Sequence, residues 1–409
     1  MNKFTYLLIC FILSVNFWNI AFITKFLDLN AINILTWIVA FYAFYHFANP
    51  KRLNAINSLK YTKYFYLIML GVIISMFSAY FFWGQNFIVT MKNQKGIYSF
   101  ILLVSLLFVQ PSQKDMIKAL KIISIVTVIV WFFVAFNQNL MRTDENSIDI
   151  EDKSNMRFGT YVNGIHYIVL YLYYLISIYI KRFSWKIFIE ALLFLVFVFL
   201  YSNRSMLFGA LIVFGYSLFK FKSKYKGIQL FISTIITIIG LYFSKDMWIS
   251  MINRSTQELN DVDYNRWKAF YYFIYEHSPN WFCNIFGNGM ASRESSYGIK
   301  IFALESNGIF ISDIGMFGMW SDFGIIPLAS IYSVLIIIIL KRKFPLYLKF
   351  MSLHIIFFPT IFHFWTNPGV FLFVIIIYLY SYHNEYSLID IRMQNMLKLA
   401  KIKKKINAT

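Results

Sequence analysis

Charge is scarce in this sequence. Only 14% of its 409 residues are charged while 59% are apolar, and the mean hydropathy is +0.59. A soluble domain holds about 25% charged and 45–50% apolar residues, so composition argues against a soluble enzyme and against a disordered chain. Cysteine is scarcer still. Cys10 lies in an apolar run and Cys283 in a polar stretch, which leaves no disulfide scaffold and no thiolate metal site. Soluble cofactor motifs are also missing. Gly287-Asn288-Gly289 is too short for a phosphate-cradling loop and follows no strand, no His-Glu-x-x-His pair occurs, and the six histidines are scattered. Neither a metal nor a cofactor is expected. The net charge of +19 would suggest nucleic acid in a soluble protein. In a membrane protein it follows from Lys and Arg kept in cytoplasmic loops, so no nucleic-acid partner is expected.

What the chain does have is long apolar runs. A membrane-crossing helix needs about 20 mostly apolar residues. Twelve segments qualify: 4–23, 29–49, 64–83, 97–110, 117–137, 161–180, 186–202, 205–219, 228–244, 314–340, 346–363 and 367–382. The first lacks a small-residue cleavage site and reads as an uncleaved helix rather than a signal peptide. The predicted fold is all-α, a polytopic membrane bundle of about 12 transmembrane helices forming a single domain over 1–409. With the N-terminus in the cytoplasm, 25 of the 38 basic residues fall inside, as the positive-inside rule requires. Both termini are then cytoplasmic, and 384–409 is a basic cytoplasmic tail suited to lipid headgroups. Residues 245–313 form one large outer loop, with short helices expected around Asn265–Glu276. Trp267, Phe270, Trp281, Phe282 and Phe286 argue that it packs rather than staying disordered.

Lysine and arginine part company in this topology. Of 28 lysines 21 are inside, whereas six of 10 arginines are outside: Arg142, Arg157, Arg204, Arg254, Arg266 and Arg293. Topology accounts for the lysines only. Arginine is planar, always charged and suited to a bidentate grip on phosphate, so an outer-face phosphate site is one reading and small-number scatter the other. Arg204 stands in Ser202-Asn203-Arg204-Ser205 between two apolar runs, where charge is costly and tends to mark function. Asp313 and Asp322 stand at the start of the tenth span and inside it. Asp261-Val262-Asp263 resembles a nucleotide-sugar acidic pair but lies on the wrong side of the membrane. It reads better as a turn or as a partner for Arg254 or Arg266.

Four places together resemble the O-antigen polymerase and ligase superfamily (Wzy type). They are Arg157 with Gly159-Thr160, then Asn203-Arg204-Ser205 followed by Gly209-Ala210-Leu211, then Arg266-Trp267 followed by Phe286-Gly287-Asn288-Gly289, and finally Asp313 through Gly324 to Pro327. The resemblance covers about 157–327. Each motif is short, and their order, spacing and membrane side carry the likeness. It implies a membrane glycosyltransferase of the bacterial inner membrane, working at the periplasmic face. Its donor and acceptor would be oligosaccharides on polyprenyl pyrophosphate, and a chain-length regulator protein is a further partner the resemblance allows. Ligases of the superfamily carry a His-Asn-like pair, nine residues and then glycine. With Gly324 as that glycine, Asp313 and Ile314 stand at the pair. The ligase histidine is therefore missing, which favours a polymerase over a ligase. A lipid-linked oligosaccharide flippase is the third reading, and it would place arginines along a central cavity instead.

On the polymerase reading, Arg266 and Arg204 are catalytic candidates that stabilise charge on the pyrophosphate leaving group. Arg157 and Arg254 are substrate-binding candidates. Asp313 is the best-placed base for the acceptor hydroxyl, with Glu305 and His277 as rivals. A carboxylate beside arginines has a lowered pKa and makes a poor base, so Asp313 could instead orient an arginine. The loop aromatics offer flat faces to sugar rings, or else form plain loop core.

Overall fold

The computed structural model describes residues 2–27, 29–47, 62–136, 162–201, 204–219, 225–243, 265–359 and 369–383, with scattered positions between 245 and 256. Among them every regular element is helical and no strand occurs. In chain order the helices are α1 (Lys3–Ser14), α2 (Ala21–Phe26), α3 (Leu29–Phe47), α4 (Thr62–Trp83), α5 (Phe87–Asn93), α6 (Ile101–Val109), α7 (Gln113–Phe136), α8 (Ile165–Lys181), α9 (Trp185–Leu200), α10 (Arg204–Phe219) and α11 (Lys226–Phe243). The long loop contributes α12 (Asn265–Tyr271), α13 (Trp281–Phe286) and α14 (Ser296–Ser306). The chain continues with α15 (Met316–Phe323), α16 (Ile325–Leu340), α17 (Leu346–Phe357) and α18 (Gly369–His383).

The bundle is built around α8, which packs on α7, α9, α10 and α17. It is apolar all round and buried on nearly every side, as a helix without a polar face must be. Its tyrosines bring hydroxyls inside, and a buried hydroxyl needs a partner. Tyr167 meets Ser14 of α1 at 2.8 Å and Tyr171 donates to Glu190 of α9 at 2.7 Å. Tyr173 meets His354 Nδ1 of α17. Glu190 also pairs with Lys121 of α7 at 2.6 Å. Gly209 of α10 makes room for His354, since a Cβ there would lie 2.6 Å from the imidazole. Helix α18 is buried along its length, with Phe371 edge-on to Phe11 at 5.2 Å.

Among the described residues, Lys63–Trp83 and Gln113–Val134 are long and apolar enough to cross a bilayer by length and composition. Seven further apolar helices run 10–17 residues. Helix α4 shows an outward apolar stripe, with Tyr66, Leu70, Ile73, Phe77, Tyr80 and Phe81 exposed.

Two expected continuous helices are broken. The segment 4–23 stops after α1, because Asn16, Phe17, Trp18 and Asn19 all take positive φ. Asparagine tolerates that region, while Phe and Trp are strained there. The turn is held by the Trp18 indole N–H, which donates to Thr127 Oγ1 at 2.8 Å. The segment 314–340 divides into α15 and α16 at Gly324 (φ 85°, ψ 175°). There the α15–α16 backbone crosses the end of α13 at Gly287 (φ 86°, ψ 161°). Both conformations belong almost solely to glycine. A Cβ on Gly287 would lie 2.5 Å from the Asp322 carbonyl oxygen, and one on Gly324 would lie 2.4 Å from the Ile285 carbonyl oxygen.

Gly287→Ala and Gly324→Ala are each expected to destabilise the protein by on the order of 3 kcal/mol, from backbone strain plus overlap. Gly215→Ala in α10, where a Cβ meets no atom within 4 Å, is expected to be neutral or slightly stabilising. Thermal unfolding of the three purified variants checks this, and equal midpoints would contradict the crossing.

Candidate functional site

The end of α4 and the turn after it hold the long loop in place. Gly84 takes φ 66° and swings Gln85 inward. Gln85 is fully buried and uses all four of its hydrogen-bonding positions. Its Nε2 donates to Thr90 Oγ1 at 2.8 Å and to the Met290 carbonyl at 2.9 Å. Its Oε1 accepts from Ser292 N–H at 2.8 Å and from Ser295 Oγ at 2.7 Å. Asn93 of α5 donates to the Ala291 carbonyl. Asn288, also fully buried, accepts from the Trp83 indole at 2.9 Å and donates to Ser278 Oγ and the Ser321 carbonyl, each at 3.0 Å. Backbone bonds complete the join, from Asn288 N–H to Ser321 at 2.9 Å and from Gly289 N–H to Asp322 at 2.8 Å.

Within the loop, Ala269, Phe273, Tyr297, Ile301 and Ile314 form a small core of their own. Trp83 stacks against Tyr297 with ring centroids 4.4 Å apart, and against His277 at 5.2 Å. His277 Nε2 lies 2.9 Å from the Tyr297 hydroxyl, which donates onward to the Gly289 carbonyl at 3.2 Å. That order makes His277 an Nε2–H donor and leaves its buried Nδ1 without a hydrogen-bond partner. Burial pushes the imidazole down to about 4, and it holds the Tyr297 hydroxyl well above its ordinary range with help from the nearby Asp322 charge. His277 is placed by a π turn, Tyr272–Glu276, whose closing bond runs from His277 N–H to the Tyr272 carbonyl at 2.7 Å. Single π turns occur often at functional sites.

Helix α12 packs on the 3₁₀ turn Ile311–Ile314. This brings together two residues that the sequence singled out, Arg266 and Asp313. The Asn265 amide fixes the approach: a Cβ on Gly308, which has φ 79°, would lie 2.4 Å from Asn265 Nδ2. Arg266 is exposed and Asp313 half-buried. Burial raises the Asp313 carboxyl above its ordinary value, and the Arg266 charge pulls the other way without cancelling the shift. A carboxylate beside arginine was expected to be a depressed one, yet partial desolvation outweighs one exposed guanidinium.

The other sequence candidates fall elsewhere. Glu305 faces Arg293 at 3.5 Å, and Arg293 also lies over the Phe302 ring at 4.5 Å. Such an exposed pair contributes little to stability. His277 lies inside the loop core. Arg204 begins α10, and its side chain, together with Arg157, Arg254, Asp261-Val262-Asp263 and the 384–409 tail, lies outside the described residues. No group of three or more metal-ligating side chains gathers among the described residues. Sequence reasoning passed over Trp83, Gln85 and Tyr297. The available signal was a Gly-Gln-Asn turn closing an apolar run.

Comparison with protein-family models, curated proteins and solved structures finds no match for this chain.

The buried neutral His277 gives stability a pH slope. In the unfolded chain it titrates near 6.5, in the folded one near 4, so its contribution is complete above 6.5 and is lost as pH falls towards 4. Between pH 6.5 and 5 the loss is about 2 kcal/mol. His277→Gln keeps a donor for Tyr297 and does not titrate. Thermal midpoints at pH 7 and pH 5 should converge in that variant relative to wild type.

Proposed function

We propose that this chain is a polytopic membrane glycosyltransferase of the O-antigen polymerase type. It crosses the bacterial inner membrane twelve times, with both termini in the cytoplasm and the 245–313 loop on the periplasmic face. It joins oligosaccharide repeat units carried on polyprenyl pyrophosphate. The observation that carries the reading is the meeting of Arg266 with Asp313 on the long loop, with burial holding the carboxyl above its ordinary value.

The chemistry follows from those two groups. The acceptor hydroxyl attacks the anomeric carbon of the donor glycan, and the carbon–oxygen bond to pyrophosphate breaks. Polyprenyl pyrophosphate leaves with the electron pair, so negative charge builds on its oxygens. The guanidinium of Arg266 stabilises that charge without a metal. Asp313 accepts the proton from the acceptor hydroxyl, and a carboxyl titrating above its usual range is a stronger base once ionised. Arg204, Arg157 and Arg254 complete the phosphate contacts in this reading. The apolar helices support the membrane placement, and the scarcity of charge along them supports a site at the outer rim rather than a conduit.

The test uses the surface glycan of a strain lacking this gene. Its loss should leave single repeat units on the final acceptor and remove the polymer ladder, and Arg266→Ala should fail to restore it. With purified protein and lipid-linked repeat units, Asp313→Asn should lower kcat/KM by about 10²–10⁴. Wild-type activity should fall as pH drops through the raised Asp313 pKa, and that acid limb should vanish in Asp313→Asn. An intact ladder in the deletion strain would sink the proposal. Lipid-linked glycan accumulating at the outer face would mean a ligase, and at the inner face a flippase.

A further inference from the structure

Trp267, Tyr271 and Tyr275 recur every four residues along α12 and the π turn that follows it. They are among the most exposed aromatic side chains of the loop, at 50%, 59% and 69%. Their inward neighbours Ala269 and Phe273 are buried in the loop core, so the three rings share the outward side of the segment. Each step of four residues rises about 6 Å along a helix and drifts about 40° around it in α geometry. The wider π turn over Tyr272–Glu276 rotates less per residue. It keeps Tyr275 beside Tyr271, with ring centroids 5.6 Å apart. The row begins at the residue next to Arg266, so it leads directly away from the Arg266–Asp313 site.

Lipid and saccharide are two surfaces that can cover exposed aromatics in such a protein, and the neighbouring charges separate them. Arg266, Lys268 and Glu276 are exposed on the same segment as the three rings, a pattern for water rather than for hydrocarbon. Helix α13 is the contrast. Its residues Trp281–Phe286 carry no charge. Phe282 packs on Phe82 at 5.8 Å, and exposed Trp281 and Ile285 extend the apolar outer stripe of α4. On the membrane placement proposed above, the lipid-facing part of the loop is therefore α13, and α12 faces water. Flat rings with hydroxyl edges present an apolar face and a polar tip together, which matches the alternating C–H faces and hydroxyl rims of sugar rings.

We infer that Trp267, Tyr271 and Tyr275 form a saccharide platform that holds the growing glycan as it leaves the site. This rests on the polymerase reading and adds the means by which successive additions stay on one enzyme. The three residues hold only the extended product and take no part in the first coupling. Losing them should shorten the product without slowing the first coupling.

The experiment reconstitutes full-length protein in liposomes with lipid-linked repeat units. It follows both the rate of the first coupling and the length distribution of the polymer. The triple variant Trp267→Ala/Tyr271→Ala/Tyr275→Ala should couple two units at close to the wild-type rate, with the modal length shortened severalfold. Trp267→Phe alone should keep long products. Unchanged length in the triple variant overturns the platform, and so does an equal fall in first coupling and in length at an unchanged thermal midpoint. Quenching by brominated lipid of the fluorescence that Trp267→Phe removes would place this face in the bilayer and also overturn it. If wild-type protein makes no polymer at all, the polymerase reading falls first and the platform with it.

Discussion

Gly287 and Gly324 press backbone against backbone, and the placement of the loop follows from that contact. A helix that stops leaves its last carbonyls without partners. Helix α15 stops at Gly324, whose N–H satisfies the Trp320 carbonyl. The next two carbonyls, of Ser321 and Asp322, are taken by the N–H groups of Asn288 and Gly289. The loop is thus the cap of a helix broken to receive it. Neither half of the arrangement is satisfied without the other, and a side chain at either glycine would hold them apart. Gly289 extends the same logic to α4, where a Cβ would lie 2.7 Å from the Ser75 carbonyl oxygen.

Once placed, the loop sorts its ionisable groups by depth. His277 is buried with the Trp83 and Tyr297 rings and stays neutral. Asp313 is half-buried, enough to raise its carboxyl but not to remove it from water. Arg266, Lys300 and Arg293 remain at the surface, and Lys300 lies 5.5 Å from the centre of the Trp83 ring. The Trp83, His277 and Tyr297 rings stack beneath Lys300, and groups that pack on a locked stack are themselves held in place.

Much of this was legible in the sequence, and the rest was hidden for identifiable reasons. Helical character followed from the length of the apolar runs. Arg266 stood out because topology accounts for the lysines but not for the outer arginines, and Asp313 because it stands at the start of the tenth span. The helical stretch Asn265–Glu276 was expected, and the aromatic content of the loop argued that it packs. The break at Gly324 did not, because one glycine in an apolar run looks the same whether the helix passes through it or stops. What decides the matter is a second backbone nearly forty residues away in sequence, whose arrival no local pattern announces. Gln85 was missed for a similar reason. Its four partners come from Thr90 and from the 290–295 stretch, so its importance exists only in three dimensions. The reversal at Asp313 is quantitative: proximity to arginine was readable, but the degree of desolvation opposing it was not.

The join between Gln85 and Met290 also sets a timetable. The two residues are 205 positions apart in the chain. At 5–20 residues per second, synthesis needs on the order of 10–40 s to pass from one to the other. Throughout that interval the end of α4 is complete but its buried glutamine has nothing to bury it. A newly made chain must carry this polar turn uncovered through the synthesis of several later helices. The lifetime of the half-built protein is governed by how well Gln85 and Trp83 are kept from other partners until the loop arrives.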